Sequence, residues 1–255
     1  MFRQDVAVNF SEPEAIAPPP EPLYRRLVAE LLGTALLVCI VVGSGIAAQR
    51  LSPDDVGLQL LQNSTATVLG LAVLILVFGP VSGAHFNPVV TVADWFLSRG
   101  SAEGFSARNI APYVAAQVVG GVLGALVANA MFEAPQAIAS NERASGSHLL
   151  AEVVATAGLV LVIFALVRTD RLSLVAPAVG AYIGAAYWFT SSTSFANPAV
   201  TVGRVFSDTF AGIAPSSMPA FILAQCLGAI VGAALVLVLY PHRPAHHSRQ
   251  GESRV

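Results

Sequence analysis

The sequence predicts an all-α membrane protein of six transmembrane helices plus two re-entrant half-helices, built as an inverted repeat. Three observations carry that prediction. Six long apolar runs divide the chain; an Asn-Pro pair occurs twice in the same setting, in HFNPVV at 85–90 and FANPAV at 195–200; and the flanking stretches recur in the same order in both halves.

The apolar runs come first because composition alone sets the class. Hydrophobic residues make up 55% of the 255 residues and charged ones only 11%, against roughly 25% charged in a soluble domain. A helix needs about 20 apolar residues to cross about 30 Å of hydrocarbon. Runs of that size lie near Leu27–Ala48, Leu60–Gly79, Ile110–Met131, His148–Val167, Leu174–Thr190 and Pro219–Tyr240. The solvent of this protein is therefore a lipid bilayer.

What lies outside the runs carries little chemistry. Residues 1–22, with Asp5, Glu12, Glu14 and three consecutive prolines, lack the apolar segment of a signal peptide and read as a disordered tail. Residues 241–255 read the same way, and His246-His247 has no third ligand nearby to make a metal site. Cys39 and Cys226 fall inside spans, where a thiol is a small apolar filler. All 13 basic residues are arginine. With the N-terminus inside, only Arg50, Arg143 and Arg204 fall outside, so the positive-inside rule puts both termini in the cytoplasm. The charge is near neutral, without a basic groove, which argues against a nucleic-acid partner.

The repeat is legible residue by residue. Ala29-Glu30-Leu31-Leu32-Gly33-Thr34-Ala35 returns as Ala151-Glu152-Val153-Val154-Ala155-Thr156-Ala157, and AQVVGGVLGALVA from Ala116 returns as AQCLGAIVGAALV from Ala224. One membrane domain over 23–240 then consists of a first repeat at about 27–132 and a second at about 148–240. Each holds three spans, and an odd number makes the second enter the bilayer from the opposite face.

Asn caps a helix N-terminus and Pro is favoured at the first helical position. Asn87-Pro88 and Asn197-Pro198 thus each start a helix inside an apolar region. The first would run to about Leu97, a length on the order of 16 Å, half a bilayer. The stretches before them, Ser82–Phe86 and Ser192–Ala196, are non-helical, and such backbone is tolerated at membrane depth only when buried in protein or lining a wet cavity. Two half-helices from opposite faces meet N-terminus to N-terminus at the midplane. Glu30 and Glu152 lie in spans, where a carboxylate is costly. Each is either a proton carrier or an acceptor for the irregular backbone, and the symmetric placement favours the second. Gln117 and Gln225 read as polar support, and His85 as either packing or lumen lining. Glycines such as Gly33, Gly120, Gly124, Gly228 and Gly232 let helices approach closely.

The paired triplets, the stretch Ser82-Gly83-Ala84-His85-Phe86-Asn87-Pro88 and the two Ala-Glu openings resemble the aquaporin (major intrinsic protein) channels from about Leu27 to Tyr240. The resemblance implies one pore per subunit, usually in a tetramer. In such a pore the asparagine oxygens cap their half-helices and their NH₂ groups are left to donate into the lumen. Carbonyls of Gly83, Ala84 and His85, and of Ser194, Phe195 and Ala196, accept along the path. The first triplet departs from the pattern at Val89, where Ala is usual. The second departs more seriously: Val200 stands where most members have a filter arginine. By offset from the asparagines the other filter positions fall at Thr67, Ala185 and Ser194, all small, which implies a wide filter. Arg204, seven residues past Asn197, is a candidate outer-mouth charge. The Val-for-Arg pattern is similar to an aquaglyceroporin-like bacterial branch linked to neutral arsenic hydroxides.

The expectation is a passive inner-membrane channel for small uncharged solutes: glycerol-like polyols, neutral metalloid acids such as arsenous acid, and water. A water-selective pore and a coupled secondary transporter are the alternatives. No nucleophile–base pair or metal cluster suggests an enzyme, and no cofactor or metal is expected.

Overall fold

The computed structural model describes residues 21–101 and 104–241. The tail residues 1–20 and 242–255, including Arg3, His246 and His247, lie outside the described residues. Six apolar helices are long enough to span a bilayer: α1 Leu23–Leu51, α2 Val56–Ser82, α4 Ile110–Met131, α5 Gly146–Arg168, α6 Val175–Phe189 (extended by a 3₁₀ turn at Leu172–Leu174) and α8 Met218–Leu239. The half-helices are α3 Pro88–Leu97 and α7 Pro198–Arg204. α3, with 10 residues, is about 15 Å long at about 1.5 Å per residue, so it reaches only half-way across.

The helix ends follow from local chemistry. Asp55 caps α2 by accepting from the Leu58 N–H at 2.8 Å, and Ser145 caps α5 through the His148 N–H at 3.3 Å. α2 carries Pro80 in its last turn and stops at Gly83, whose left-handed φ of 88° suits a residue without Cβ. The observed α1 and α2 outrun their apolar cores by three or four residues at each end, and Ser82, the last residue of α2, is buried against Glu30.

Small residues set the spacing. A Cβ on Gly120 would lie 2.3 Å from the Leu31 carbonyl oxygen, and one on Gly124 would lie 2.1 Å from that of Ala35. The same spacing recurs where Gly228 meets Val153 and Gly232 meets Ala157, both at 2.6 Å. The backbones of α1 and α4, and of α5 and α8, are therefore in direct contact along a Gly-xxx-Gly stripe. Gly121 and Gly203 bring α4 equally close to α7, and Gly33 leaves room for the Phe86 ring. The polarity is inverted relative to a soluble bundle: Glu30, Gln117, Glu152 and Gln225 are fully buried, while Leu69, Leu76, Leu223, Ile230 and Val238 face outward.

Gly124→Val would place branched carbon against the Ala35 carbonyl and push α1 from α4, a loss of about 3 kcal/mol or more. We expect little folded protein in detergent by size-exclusion chromatography. Gly146→Ala, with nothing within 4 Å, should elute like the wild type.

Candidate transport pathway

The two re-entrant loops are built from backbone that L-residues seldom adopt. Ala84 and Phe86 in the first loop have φ of 50°, and Thr193, Ser194 and Ala196 in the second have φ of 62°, 53° and 48°. Each such residue costs on the order of 1–3 kcal/mol, and the left-handed turns free N–H groups from any helical partner.

Two buried carboxylates collect those groups. Glu30 Oε1 accepts from Ser82 Oγ at 2.7 Å and the His85 N–H at 3.0 Å; its Oε2 accepts from the Phe86 N–H and Gln117 Nε2, both at 2.7 Å. Glu152 Oε1 accepts from Ser192 Oγ at 2.6 Å and the Phe195 N–H at 2.9 Å; its Oε2 accepts from the Ala196 N–H at 2.8 Å and Gln225 Nε2 at 2.7 Å. Gln117 and Gln225 also donate to Thr91 and Thr201, both at 2.9 Å, whose hydroxyls in turn donate to the Asn87 and Asn197 carbonyls. Hydrogen bonds to an ionised group contribute about 1.5–3 kcal/mol each, so four of them match two or three strained residues. The donors meet an acceptor-only carboxylate on every side.

The asparagines then face each other. Asn87 Oδ1 accepts from the Val89 N–H, and Asn197 Oδ1 from the N–H groups of Ala199 and Val200, at 2.9–3.2 Å. Each Nδ2 reaches across to the opposite loop: Asn87 to the Ala196 carbonyl and Asn197 to the Phe86 carbonyl, both at 2.8 Å. This corrects the expectation that the whole NH₂ points into the lumen. One N–H of each amide ties the half-helix ends together, and one remains.

A cavity of about 590 Å³ passes both asparagines. At one end it is bordered by Val167, Leu172 and Ser173, and at the other by Thr67, Tyr187 and Arg204. Gly83, Ala84, His85, Ser194, Phe195 and Ala196 border it, and the Ala196 carbonyl is engaged by Asn87. Pro88 and Pro198 open α3 and α7. Val89 is buried but does not border the cavity, so its extra methyls sit behind the lumen.

Three of the four expected filter residues, Thr67, Ser194 and Val200, border the cavity, but Ala185 does not. It is exposed on the outer face of α6, where Val179, Ile183 and Tyr187 face inward. At about 100° per residue, position 185 is about 200° from both Ile183 and Tyr187. At this level α6 borders the cavity with Tyr187, a much bulkier side chain than alanine. Thr67 donates to the Asn63 carbonyl at 2.9 Å, so the Tyr187 hydroxyl, 3.1 Å away, donates to Thr67 and keeps its lone pairs free. Ser194 Oγ, buried, has no hydrogen-bond partner among the described residues.

Two charged side chains complete the walls. Arg204 is buried, donates from Nε to the Ala211 carbonyl and lies with its guanidinium carbon 3.4 Å from the Phe195 ring centroid. Asp94 was not anticipated; its Oδ2 is 3.3 Å from His85 Nε2. Because the Thr91 hydroxyl hydrogen goes to Asn87, His85 Nδ1 at 3.1 Å must donate to Thr91. His85 both lines the lumen and packs, its ring 5.2 Å from Phe105 and 5.5 Å from Tyr113.

A sequence profile described as major intrinsic protein matches residues 20–193 and 168–254. The chain belongs to the major intrinsic protein family. It is 47% identical to the aquaglyceroporin AqpS of Rhizobium meliloti (strain 1021) over 224 residues, covering 87% of this chain and 93% of that protein. It is 28% identical to the probable aquaporin AqpM of Archaeoglobus fulgidus, covering 86% and 96%. The fold is similar to the X-ray structure of the aquaglyceroporin from Plasmodium falciparum, with a TM-score of 0.64 at 21% identity over 84% of this chain and 96% of that one.

As a major intrinsic protein the chain is a multi-pass membrane protein, and its two carboxylates are the part of the pathway most open to test. Glu152→Gln turns one acceptor oxygen into a donor. Whichever way the amide sits, one loop N–H, of Phe195 or of Ala196, loses its acceptor, about 1.5–3 kcal/mol. We expect a clearly lower thermal unfolding temperature in detergent and reduced flux. An unchanged unfolding temperature would remove Glu152 from its supporting role.

Proposed function

We propose that this protein is a passive channel for small uncharged solutes, passing glycerol-like polyols, neutral metalloid acids such as arsenous acid, and water. The observation that carries the reading is the continuous cavity past Asn87 and Asn197. One wall of it is apolar, with Leu37, Val41, Leu71, Leu159 and Ile183, and the other offers amide, hydroxyl and carbonyl groups. A polyol presents carbon to the first wall and hydroxyls to the second. Half-helix N-termini at the midplane disfavour cations.

Residues 23–240 act as one domain of two repeats, 27–132 and 148–240, within a homotetramer in a bacterial inner membrane with both termini cytoplasmic. The arginine distribution supports that orientation. The outward Leu, Ile and Val side chains suit lipid and neighbouring subunits. The chain catalyses no reaction and needs no cofactor.

A coupled transporter would need a titratable group free at the midplane. Glu30 and Glu152 are saturated by loop donors, and both ring nitrogens of His85 are engaged, by Thr91 and Asp94. A water-selective pore is the second reading, favoured by the bulk of Tyr187 in the filter. Stopped-flow light scattering on proteoliposomes, comparing water, glycerol and arsenous acid, separates the readings. We expect all three to move down their own gradients, unaffected by a proton gradient. Water flux alone supports the second reading, and uphill accumulation in energised vesicles replaces the channel with the transporter.

Val200→Arg would insert a planar group with five donors into the lumen beside Ser194. The variant should keep a larger share of its water flux than of its glycerol flux. An unchanged water-to-glycerol ratio at matched membrane abundance would take Val200 out of the filter.

A further inference from the structure

The two halves of the pathway share a geometry that goes beyond the Asn-Pro pairs. In the first half the residue two before the asparagine, His85, meets the residue seven after it, Asp94. In the second half Phe195 and Arg204 occupy the same two offsets and also meet. Positions three and seven after each asparagine, Val90 and Asp94 or Val200 and Arg204, all border the cavity, as residues on one helix face do. Arg204 therefore lies one turn beyond Val200 on the lumen side of α7.

Its surroundings fix the guanidinium without neutralising it. Nε donates to the Ala211 carbonyl, and the plane lies over Phe195, which is held in turn edge-on by Phe221 at 5.2 Å. Neither terminal nitrogen has a hydrogen-bond partner among the described residues, and no carboxylate there pairs with Arg204. Arg143 stands 5.4 Å from the same ring, donating to the Gly212 and Phe210 carbonyls at 2.7 and 2.8 Å. Three consecutive carbonyls, 210–212, thus anchor two guanidinium groups by neutral contacts. Glu152, the nearby anion, is spent on loop donors. Glu142 and Asp208 line a separate, neighbouring pocket together with Arg143. Hydrogen bonds from Ser216 and Ser217 lower the pKa of Glu142, and those from Ser140 lower that of Asp208.

We infer that Arg204, held on the face of Phe195, is the cation-excluding filter of this pore, one helical turn farther from the midplane than Val200. Its free N–H groups and Ser194 Oγ form the polar contact for a solute hydroxyl, and Val200 leaves the inner turn open. The inference rests on the channel reading above and adds to it the residue that decides charge selectivity.

The test uses full-length protein in proteoliposomes, with glycerol flux read by light scattering and proton leak by a trapped pH dye. Wild-type protein should pass glycerol without proton leak; no glycerol flux above empty liposomes would sink the channel reading itself. Arg204→Gln should raise proton leak about tenfold relative to glycerol flux measured in the same preparation, equivalent to about 1.4 kcal/mol of barrier. The double variant Val200→Arg with Arg204→Gln should restore exclusion and lower glycerol flux relative to water. Folded Arg204→Gln that conducts glycerol with no added leak overturns the assignment. If Arg204→Gln is not recovered folded, Phe195→Leu decides by the same readout: removing the ring frees the guanidinium, so raised leak supports the filter and wild-type leak overturns it.

Discussion

A buried carboxylate accepting four hydrogen bonds is the interaction on which this architecture depends. Backbone that leaves a helix inside hydrocarbon exposes N–H groups that lipid cannot satisfy. A neutral side chain could take one or two of them. Glu30 and Glu152 each take two loop N–H groups, a serine hydroxyl and a glutamine amide. Burying a charge is costly unless it is fully paired, so the loop and the carboxylate are mutually conditional. Without the loop the glutamate would be an orphan, and without the glutamate the left-handed turns at Phe86 and Ala196 would unwind.

The arrangement also demands close helix packing. Glu30 must reach the loop between α2 and α3 while Gln117 arrives from α4, which is feasible because Gly120 and Gly124 let α4 lie directly on the α1 backbone. In the second half Gly228 and Gly232 do the same for Glu152 and Gln225. Glycine lowers helix propensity, but in a membrane its value is that two backbones touch. The stripe and the polar network are one device seen from two sides, since a wider helix spacing would break the glutamine–glutamate bonds first.

Much of this was legible because it depends on local rules. The α4 boundaries, Ile110–Met131, coincide with the apolar run, and both half-helices begin where Asn-Pro requires. The matched Glu and Gln positions announced polar support before any contact was known. What failed depended on angular position. Ala185 was placed in the filter by counting back from Asn197, which assumes a fixed loop length between α6 and α7. The helix phase turns Tyr187 to the cavity instead, and the periodicity of Val179, Ile183 and Tyr187 was a signal that could have found it. The Phe86 carbonyl was missed because a side-chain amide crossing between repeats has no sequence signature. Asp94 was missed although it sits seven residues past its asparagine, the same offset that singled out Arg204.

That pairing of offsets shows how one pseudo-symmetric backbone serves two chemistries. The loop geometry around each asparagine is nearly identical in hydrogen bonds, so neither half can change there without losing its carboxylate network. The residues two before and seven after the asparagine are different: they touch each other and the lumen, yet make none of the glutamate bonds with their side chains. Substitution at those sites alters the mouth without loosening the loop. One mouth accordingly carries an imidazole against a carboxylate, and the other a guanidinium on an aromatic face. The Val200 departure fits the same logic. A side chain lost at one lumen position can be answered one turn away on the same face, because α7 is held by its cap and by Gly203 against α4 rather than by the residue that lines the pore.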